Sequence, residues 1–301
     1  MERKQILATT SLLVLFVLLL TNCKPKSDSD EDTLLLLAAA ASRICANSAY
    51  TGTTVVASTA TLDTNTDCIT GMTSSMSADL PAWIRNNFKC AVGSVSGTNY
   101  VFRSQNIPNN KSYYFGSTSP RYEALGSGQK AAGTNQISSQ CLVYTIPSSP
   151  SEKLTNKTGT QSGYASVGIT VNGLAIFNNA AAAPDTLSTE AQTFDQYNGH
   201  PQNSGVYHHH SQPLNVSNNN SNLIGMLIDG YAVYGRDCTD AGSSTTTPTI
   251  GSGLDNNHGH ISTTLHFSSP TYHYHYTSDP TATIPTLIGS YFHGTPGTVS
   301  N

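Results

Sequence analysis

The sequence has little charge. Asp, Glu, Lys and Arg make up 11% of the 301 residues, and the formal net charge is -4. It contains no Lys/Arg-rich run that would neutralise a phosphate backbone, so we expect no nucleic-acid partner. Ser, Thr, Asn and Gly take the place of charged residues, and this composition favours an exported, turn-rich β protein over a helical cytosolic one.

Histidine is missing from the first 199 residues, whereas all ten histidines lie between His200 and His293. Histidines scattered through a core for structural reasons would not avoid so long a stretch of chain. Their confinement indicates that the C-terminal part carries a histidine-based site.

The N-terminus is typical of an export signal. Arg3 and Lys4 precede the apolar run ILATTSLLVLFVLLL, and Cys23 follows it. The sequence LLTNC resembles a spirochaete-type lipobox, which implies a signal peptide over residues 1–22 and a diacylated Cys23, although Asn22 departs from the commoner Gly or Ala. The alternative is an uncleaved membrane anchor, but the apolar run is shorter than the ~20 residues of a spanning helix. We therefore expect an exported lipoprotein that is anchored to a membrane through Cys23, in the periplasm or at the outer membrane or cell surface.

Composition divides the rest of the chain into three parts. Residues 23–45 form a charged tether and an apolar segment too short to span a membrane. Residues 46–89 are Ser/Thr-rich, and a short helix that carries Trp83 is predicted over residues 79–90. The third part begins with AVGSVSGTNYVFRS, a pattern that predicts two strands around a Gly-Thr-Asn turn.

Two later segments predict β-hairpins. Asn172-Gly173 and Asp229-Gly230 each separate two apolar runs, and both dipeptides fit type I′ turns, which need positive φ at both central residues. Apolar residues on both sides of each turn predict buried central strands. We expect a mainly β fold with antiparallel sheets in a sandwich-like arrangement, joined by long polar loops.

The cysteine count bounds the disulfides. The chain has six cysteines, and five remain once Cys23 is set aside for lipid, so they cannot all pair within one chain. Export permits disulfides. The sequence leaves the connectivity open, and Cys238 is the expected odd thiol because the other four lie together in the N-terminal half: Cys45, Cys68, Cys90 and Cys141.

The histidines belong to an internal repeat. GHPQNSGVYHHHSQP begins at Gly199, and GHISTTLHFSSPTYHYHYTSDP begins at Gly259. Each copy contains Gly-His, a spacer, Tyr-His-x-His and Pro, and each is followed by Leu-Ile-Gly at nearly the same offset. The repeat predicts two related half-sites with three histidines each; they are His200, His208 and His210 in one half, and His260, His273 and His275 in the other.

The His-x-His spacing places two imidazoles on one face of a strand. A third histidine from a nearby loop would complete a three-nitrogen metal site with an open position, so we expect a transition metal. Zinc, copper, nickel and iron all accept imidazole, so the residues do not identify the metal, although copper or zinc is favoured. Thiolate ligation is not expected, because neither repeat contains Cys. Four carboxylates could ligate the metal or orient a histidine; they are Asp195, Asp229, Asp237 and Asp255. The alternative is that the histidines bond to the backbone in a polar cleft without metal.

The chain contains an intact Tyr-His-Tyr-His motif at Tyr272 to His275. It also contains, in this order, the blocks NIPNNKSYYF, TFDQYNGHP, YHHHSQP, LIDGYAVYG, LDNNHGH and LIGSYFHG. Together these segments resemble the YHYH domain proteins. The resemblance covers residues 90–295 and implies that this range forms the main domain. It implies that the six repeat histidines and Asp229 form the functional set, with metal binding and no defined reaction. His209 stands where that family has Tyr, and Asn257 and Ser290 stand where it has Cys, which implies that a family disulfide is missing here.

The sequence leaves three functions open. The first is metal capture, storage or sensing. The second is a metal-dependent hydrolase or oxidase, with Glu190, Asp195 or Asp229 as general base, although no His-Glu-x-x-His, Gly-x-Ser-x-Gly or phosphate-loop motif is present. The third is a surface interaction module, because the chain's 15 tyrosines suit a recognition surface. The sequence identifies no substrate and no protein partner.

Overall fold

The computed structural model describes residues 68–69, 72, 74–160, 166–214, 216, 219–277 and 286–301, which lie within one compact unit, Arg43–Asn301. The expected signal peptide, the lipid attachment at Cys23 and the tether lie outside the described residues. No helix in the described ranges is long and apolar enough to cross a membrane.

The described residues form mostly β structure, as predicted. The only α-helical elements in these ranges are α1 (Ala82–Arg85) and α2 (Leu187–Glu190). The strands are, in chain order, β1 (Ser75–Met76), β2 (Val92–Ser96), β3 (Asn99–Ser104), β4 (Leu142–Pro147), β5 (Gly168–Thr170), β6 (Ala175–Ile176), β7 (His200–Pro201), β8 (Tyr207–His209), β9 (Leu223–Leu227), β10 (Ala232–Tyr234), β11 (Cys238–Thr239), β12 (Thr245–Thr246), β13 (Thr249–Ile250), β14 (Gly253–Leu254), β15 (Gly259–Ser262), β16 (Thr271–His275) and β17 (Thr298–Ser300).

A five-stranded sheet has the order β1-β2-β3-β4-β17. Its centre is the antiparallel pair β2 and β3, which confirms the two strands predicted around the Gly-Thr-Asn turn, with Gly97 at φ 56°. The predicted helix over 79–90 is confirmed in a shorter form, α1, whose Ile84 is buried.

An eight-stranded mixed sheet carries the histidine repeats, in the order β15-β16-β10-β9-β5-β6-β8-β7. The antiparallel contact between β5 and β9 divides it into two halves. In one half β5, β6, β7 and β8 pair as antiparallel, parallel and antiparallel neighbours, and β9, β10, β15 and β16 repeat this pattern in the same chain order. The sequence repeat is therefore a structural repeat, and its halves meet at the centre of one sheet.

Both predicted hairpins form, but their turns are not type I′. Only the glycines, Gly173 at φ 80° and Gly230 at φ 93°, have positive φ, whereas Asn172 and Asp229 do not. Gly173 N–H donates to Thr170 O and Gly230 N–H donates to Leu227 O, which gives three-residue loops that close on a left-handed glycine. The prediction of type I′ turns was wrong because an Asn-Gly or Asp-Gly pair also satisfies this longer loop.

The two large sheets share one hydrophobic core. Phe102 and Tyr144 from the five-stranded sheet pack in the same buried cluster as Ile169 and Met226 from the eight-stranded sheet. Each such side chain contributes about 1.5–3 kcal/mol of burial free energy. This shared core fixes the β5–β9 centre from which the two histidine-bearing halves extend.

The cysteines divide as the sequence indicates. Cys68 and Cys90 form a disulfide, and Cys141 is also disulfide-bonded. Cys238 is a free, buried thiol, which confirms it as the odd cysteine.

Candidate metal centres

Matched Asp-centred turns present the first histidine of each half. Asp195 accepts hydrogen bonds from the backbone N–H of Gly199 and, at 2.9 Å, from the hydroxyl of Tyr207. In the other half Asp255 accepts from Gly259 N–H and, at 3.0 Å, from the Tyr272 hydroxyl. Each turn thus ties the Gly-His segment to the strand that carries the His-x-His pair.

These turns need glycine because the backbone approaches a tyrosine closely. A Cβ on Gly199 would lie 2.3 Å from the Tyr207 hydroxyl oxygen, and a Cβ on Gly259 would lie 2.2 Å from that of Tyr272. Both glycines immediately precede the histidine that the turn presents, at His200 and His260. The Gly-His pair of the repeat is therefore a packing requirement as well as a motif.

The first centre consists of His200, His208 and His210. The β7–β8 register places His200 opposite His208. His208 Nε2 lies 3.1 Å from His200 Nε2 and 3.0 Å from His210 Nε2. All three residues are at least 97% buried, with exposures of 3%, 2% and 3%. Three ring nitrogens therefore converge on one point, as the sequence predicts.

The protons on these rings lie on the far side of each imidazole. His208 Nδ1 is 3.0 Å from Val206 O and His210 Nδ1 is 2.6 Å from Asn178 O. A carbonyl oxygen only accepts, so both Nδ1 atoms carry the proton. Thr193 donates its hydroxyl proton to Glu190 O and lies 2.6 Å from His200 Nδ1, so it accepts from that ring too.

It follows that three neutral imidazoles aim bare Nε2 lone pairs at one another. No hydrogen bond can form between two such nitrogens, since neither has a proton to donate. Ligands bound about 2.0–2.1 Å from one ion have mutual separations close to those observed. A cation at the point of convergence removes the repulsion, and the Nδ1–H bonds are the outer contacts that orient metal-binding histidines.

Burial keeps the first centre uncharged. It lowers the pKa of His210 to about 4 and, with His210 as the next cause, lowers the pKa of His200 well below its usual value. The pKa of His208 is likewise far below its usual value, first through burial and then through His200. The Phe177 ring stacks on His208 with centroids 3.9 Å apart, which further fixes the ring plane.

The Glu190 carboxylate lies beside the imidazoles of the first centre. Its carboxylate oxygens lie 3.6 Å from His200 Nε2 and 3.7 Å from His210 Nε2. Burial, and secondarily the charge of Asp185, raises the pKa of Glu190 to about 7. The sequence included Glu190 only as one of three possible general bases, and the structure brings it, rather than Asp195 or Asp229, to the imidazoles.

The second centre consists of His260, His273 and His275 together with Cys238, whose donor atoms all lie within 4.8 Å of one another. His260 and His273 face each other in the β15–β16 register, with 3.0 Å between their Nε2 atoms. Cys238 Sγ lies 3.6 Å from His273 Nε2. The sequence predicted no thiolate donor because neither repeat contains Cys, but Cys238 reaches this cluster from β11, outside either repeat.

The second centre has the same proton arrangement as the first. His273 Nδ1 donates to Thr271 O at 2.8 Å, and His275 Nδ1 donates to Gly235 O at 2.8 Å. His275 Nε2 is buried and has no hydrogen-bond partner among the described residues. Burial lowers the pKa of His273 to about 4 and that of His275 to about 3. This nitrogen without a partner points to a ligand that the described residues do not supply.

The alternation of the motif separates two faces of the strand, as predicted. His209 contacts Asn198 O through Nδ1 at 2.9 Å, away from the first centre. Tyr274 donates its hydroxyl to Asp229 at 2.6 Å, and Gly294 N–H donates to the same carboxylate oxygen at 3.0 Å. Asp229 therefore lies in a hydrogen-bond network on the opposite face and joins neither cluster of donors.

The remaining carboxylates and histidines serve other contacts. Asp237 accepts from the Thr247 hydroxyl at 2.6 Å. His266 Nδ1 lies 2.9 Å from the Tyr234 hydroxyl, and His293 stacks on Tyr272 with ring centroids 3.5 Å apart. Within the described ranges, the donor clusters do not include these residues or His258.

The fold and site thus define a mainly β protein with paired histidine clusters. Residues 143–253 match the model of a family described as YHYH protein, so the chain contains a YHYH domain. The matched stretch includes the first centre and Cys238, and it ends before β16. No curated protein and no solved structure matches the chain significantly.

Proposed function

We propose that this protein is an exported lipoprotein whose YHYH domain binds one transition-metal ion at each of its two centres. The observation that carries the proposal is the set of unprotonated Nε2 atoms held about 3 Å apart by Nδ1–H bonds to the protein. Buried polar atoms normally have partners. The metal-free alternative leaves these nitrogens facing one another without a proton between them.

The donor sets favour zinc or copper. Three imidazoles form the first centre, and three imidazoles with a thiol form the second. Imidazole suits both metals, and a thiolate adds preference for zinc or the cuprous ion. Burial raises the pKa of Cys238, so the metal would supply the positive charge that stabilises its thiolate.

Export accords with the cysteine chemistry of the chain. The Cys68–Cys90 disulfide is of a kind that persists in oxidising compartments. The sequence at Cys23 resembles a lipobox, and a lipid there would hold the domain at a membrane in the periplasm, the outer membrane or the cell surface. Labelled fatty acid should enter the full chain and not Cys23→Ala, and labelling of both would contradict the anchor.

The surface-module alternative has less support. Tyr272, Tyr274 and Tyr276 are 6%, 0% and 0% exposed. Side chains with so little exposed area cannot form the contact ridge that this alternative requires. Their packing instead supports the strand that carries His273 and His275.

Metal analysis of the full chain, purified from membranes in detergent without a polyhistidine tag, tests the proposed function. We expect one equivalent of metal per centre. His208→Gln/His210→Gln should lose the first equivalent, and His273→Gln/His275→Gln should lose the second. His266→Gln is the control and should lose neither. Less than about half an equivalent of metal per wild-type chain, after incubation with zinc or copper at neutral pH, would contradict the proposal.

A further inference from the structure

The two centres differ in what lies beside the three imidazole nitrogens, at the position of a fourth metal ligand. In the second centre Cys238 Sγ lies at that position as a fourth candidate ligand. In the first centre, a cavity of about 580 Å³ opens over His200, His208 and His210. A metal with four protein ligands is closed, whereas one with three imidazoles and a free side keeps a position for water or substrate.

Glu190 lies at the boundary between the first centre and this cavity. It is the last residue of α2, whose first turn is capped by the Thr186 hydroxyl. Its two carboxylate oxygens are 3.6 and 3.7 Å from two of the imidazole nitrogens, too far for hydrogen bonds. Glu190 Oε2 is buried, and the described residues offer it no hydrogen-bond partner. A water on the metal would supply that partner.

The cavity lining indicates the kind of molecule that fits. It has the volume of an ordinary small-molecule site. Its walls combine small apolar side chains, among them Ala131, Ala132 and Ala182, with polar and charged ones, among them Lys130 and Asp185. Amide side chains, among them Asn178 and Gln192, supply hydrogen bonds without charge. A small carboxylic ester, with a short acyl group beside the alanines and a carbonyl oxygen for the polar side chains, matches this mixed lining.

We propose that the first centre hydrolyses small carboxylic esters, with Glu190 as the proton acceptor. This inference rests on the proposed function, because it needs a metal ion at the first centre to bind and acidify the attacking water. Glu190 takes one proton from that water, and the water oxygen forms a bond to the ester carbonyl carbon. The bond from that carbon to the alcohol oxygen then breaks, and Glu190 returns the proton to the alcohol. The products are a carboxylic acid and an alcohol, with no change of oxidation state.

The test uses the full chain loaded with Zn²⁺ and para-nitrophenyl acetate as the probe. We expect turnover well above that of free Zn²⁺ at the same concentration. Glu190→Gln keeps the size of the side chain and removes the base, so kcat should fall about 100-fold or more while metal content stays at the wild-type value. Glu152→Gln, at an exposed position, is the matched control and should retain activity. Turnover by Glu190→Gln within threefold of wild type would overturn the inference.

A second readout does not depend on turnover. In the Co²⁺-loaded chain, azide should alter the visible bands of the first centre, since its metal has an open position. The thiolate charge-transfer band of the second centre should not change. Full metal content with no azide response and no turnover would overturn the inference and leave the proposed function intact. Failure to bind metal at the first centre would overturn both.

Discussion

His200 and His260 occupy equivalent positions in the two halves of one sheet. Each lies opposite the middle histidine of its half in the strand register, His200 opposite His208 and His260 opposite His273. The Nε2 separations, 3.1 and 3.0 Å, are nearly the same. The repeat therefore reproduces an arrangement of ring nitrogens as well as a sequence, and the predictions below test that arrangement.

Neighbouring residues on β8 should behave in opposite ways. His208→Gln removes the central nitrogen of the first centre, so that centre should lose its metal. His209→Gln changes an equally buried imidazole on the other face and should keep it. Metal content measured beside circular dichroism separates ligation from folding. Equal metal loss in two folded variants would contradict the assignment of faces.

Cys238→Ser should weaken the second centre alone. The hydroxyl is a poorer ligand than a thiolate for zinc or copper, so we expect metal affinity to fall about 10-fold or more there. The thiolate charge-transfer band of the Co²⁺ form should vanish, while the metal content of the first centre stays at one equivalent. A band that persists in the variant would show that Cys238 is not a ligand.

Tyr207→Phe and Tyr272→Phe should lower the unfolding free energy by different amounts. Tyr207 donates to Asp195, which is 2% exposed, so its loss leaves a buried carboxylate short of a donor and should cost about 1–3 kcal/mol. Tyr272 donates to Asp255, which is exposed and can bond to water instead. Its loss should cost less than about 1 kcal/mol. Urea unfolding measures both, and the reverse order would contradict this account.

Gly199→Ala should disturb the turn that presents His200. The added methyl would lie 2.3 Å from the Tyr207 hydroxyl oxygen, so the turn or the tyrosine must move. We expect a loss of about 1–3 kcal/mol in unfolding free energy and weaker metal binding at the first centre. Gly126→Ala makes a useful comparison, because Gly126 does not have a positive φ and an added Cβ there would meet only Gln129 Cγ, at 3.9 Å. Unchanged metal affinity in Gly199→Ala would argue against the turn's role.

The metal-free protein should lose stability in acid. Burial lowers the pKa of His209 to about 4 and that of His275 to about 3, below the value of about 6.5 expected in the unfolded chain. The unfolded chain therefore binds more protons as pH falls through 6.5 toward 4, and the unfolding free energy declines. Burial raises the pKa values of Asp195 and Asp229 to about 6 and that of Glu190 to about 7, and these groups act in the opposite direction. They are three, whereas burial lowers the pKa values of His209 and all six repeat histidines.

Urea titrations of chelator-treated protein at several pH values measure this dependence. Metal-loaded protein should resist acid to a lower pH and then lose its metal and its stability together, since protons compete with the ion for the same nitrogens. An unfolding free energy that stays constant or rises between pH 7 and pH 5 in the metal-free protein would contradict the neutral, buried state of the imidazoles.

The sequence predicted those features that depend on neighbouring residues. The alternation of His273 and Tyr274 follows from strand geometry, and the two hairpins follow from Asn172-Gly173 and Asp229-Gly230. The turn type was missed because a dipeptide does not determine loop length.

Contacts between residues that are far apart in the chain could not be predicted from the sequence. Cys238 meets His273 because β10 lies parallel to β16, and a parallel pair needs a long crossover that leaves no local pattern. Glu190 lies beside His200 because α2 and the turn that follows it fold back over the strand. Its position in the sequence, between Thr189 and Ala191, marks neither the contact nor the cavity.

The most direct test of the central claim is an anomalous-difference map from crystals of the zinc-loaded protein. The account predicts two peaks, one about 2.0–2.1 Å from the Nε2 atoms of His200, His208 and His210, and one at the same distance from those of His260, His273 and His275, with Cys238 Sγ about 2.3 Å away. A map without density between either set of imidazoles, in crystals grown above pH 7 with zinc present, would contradict it.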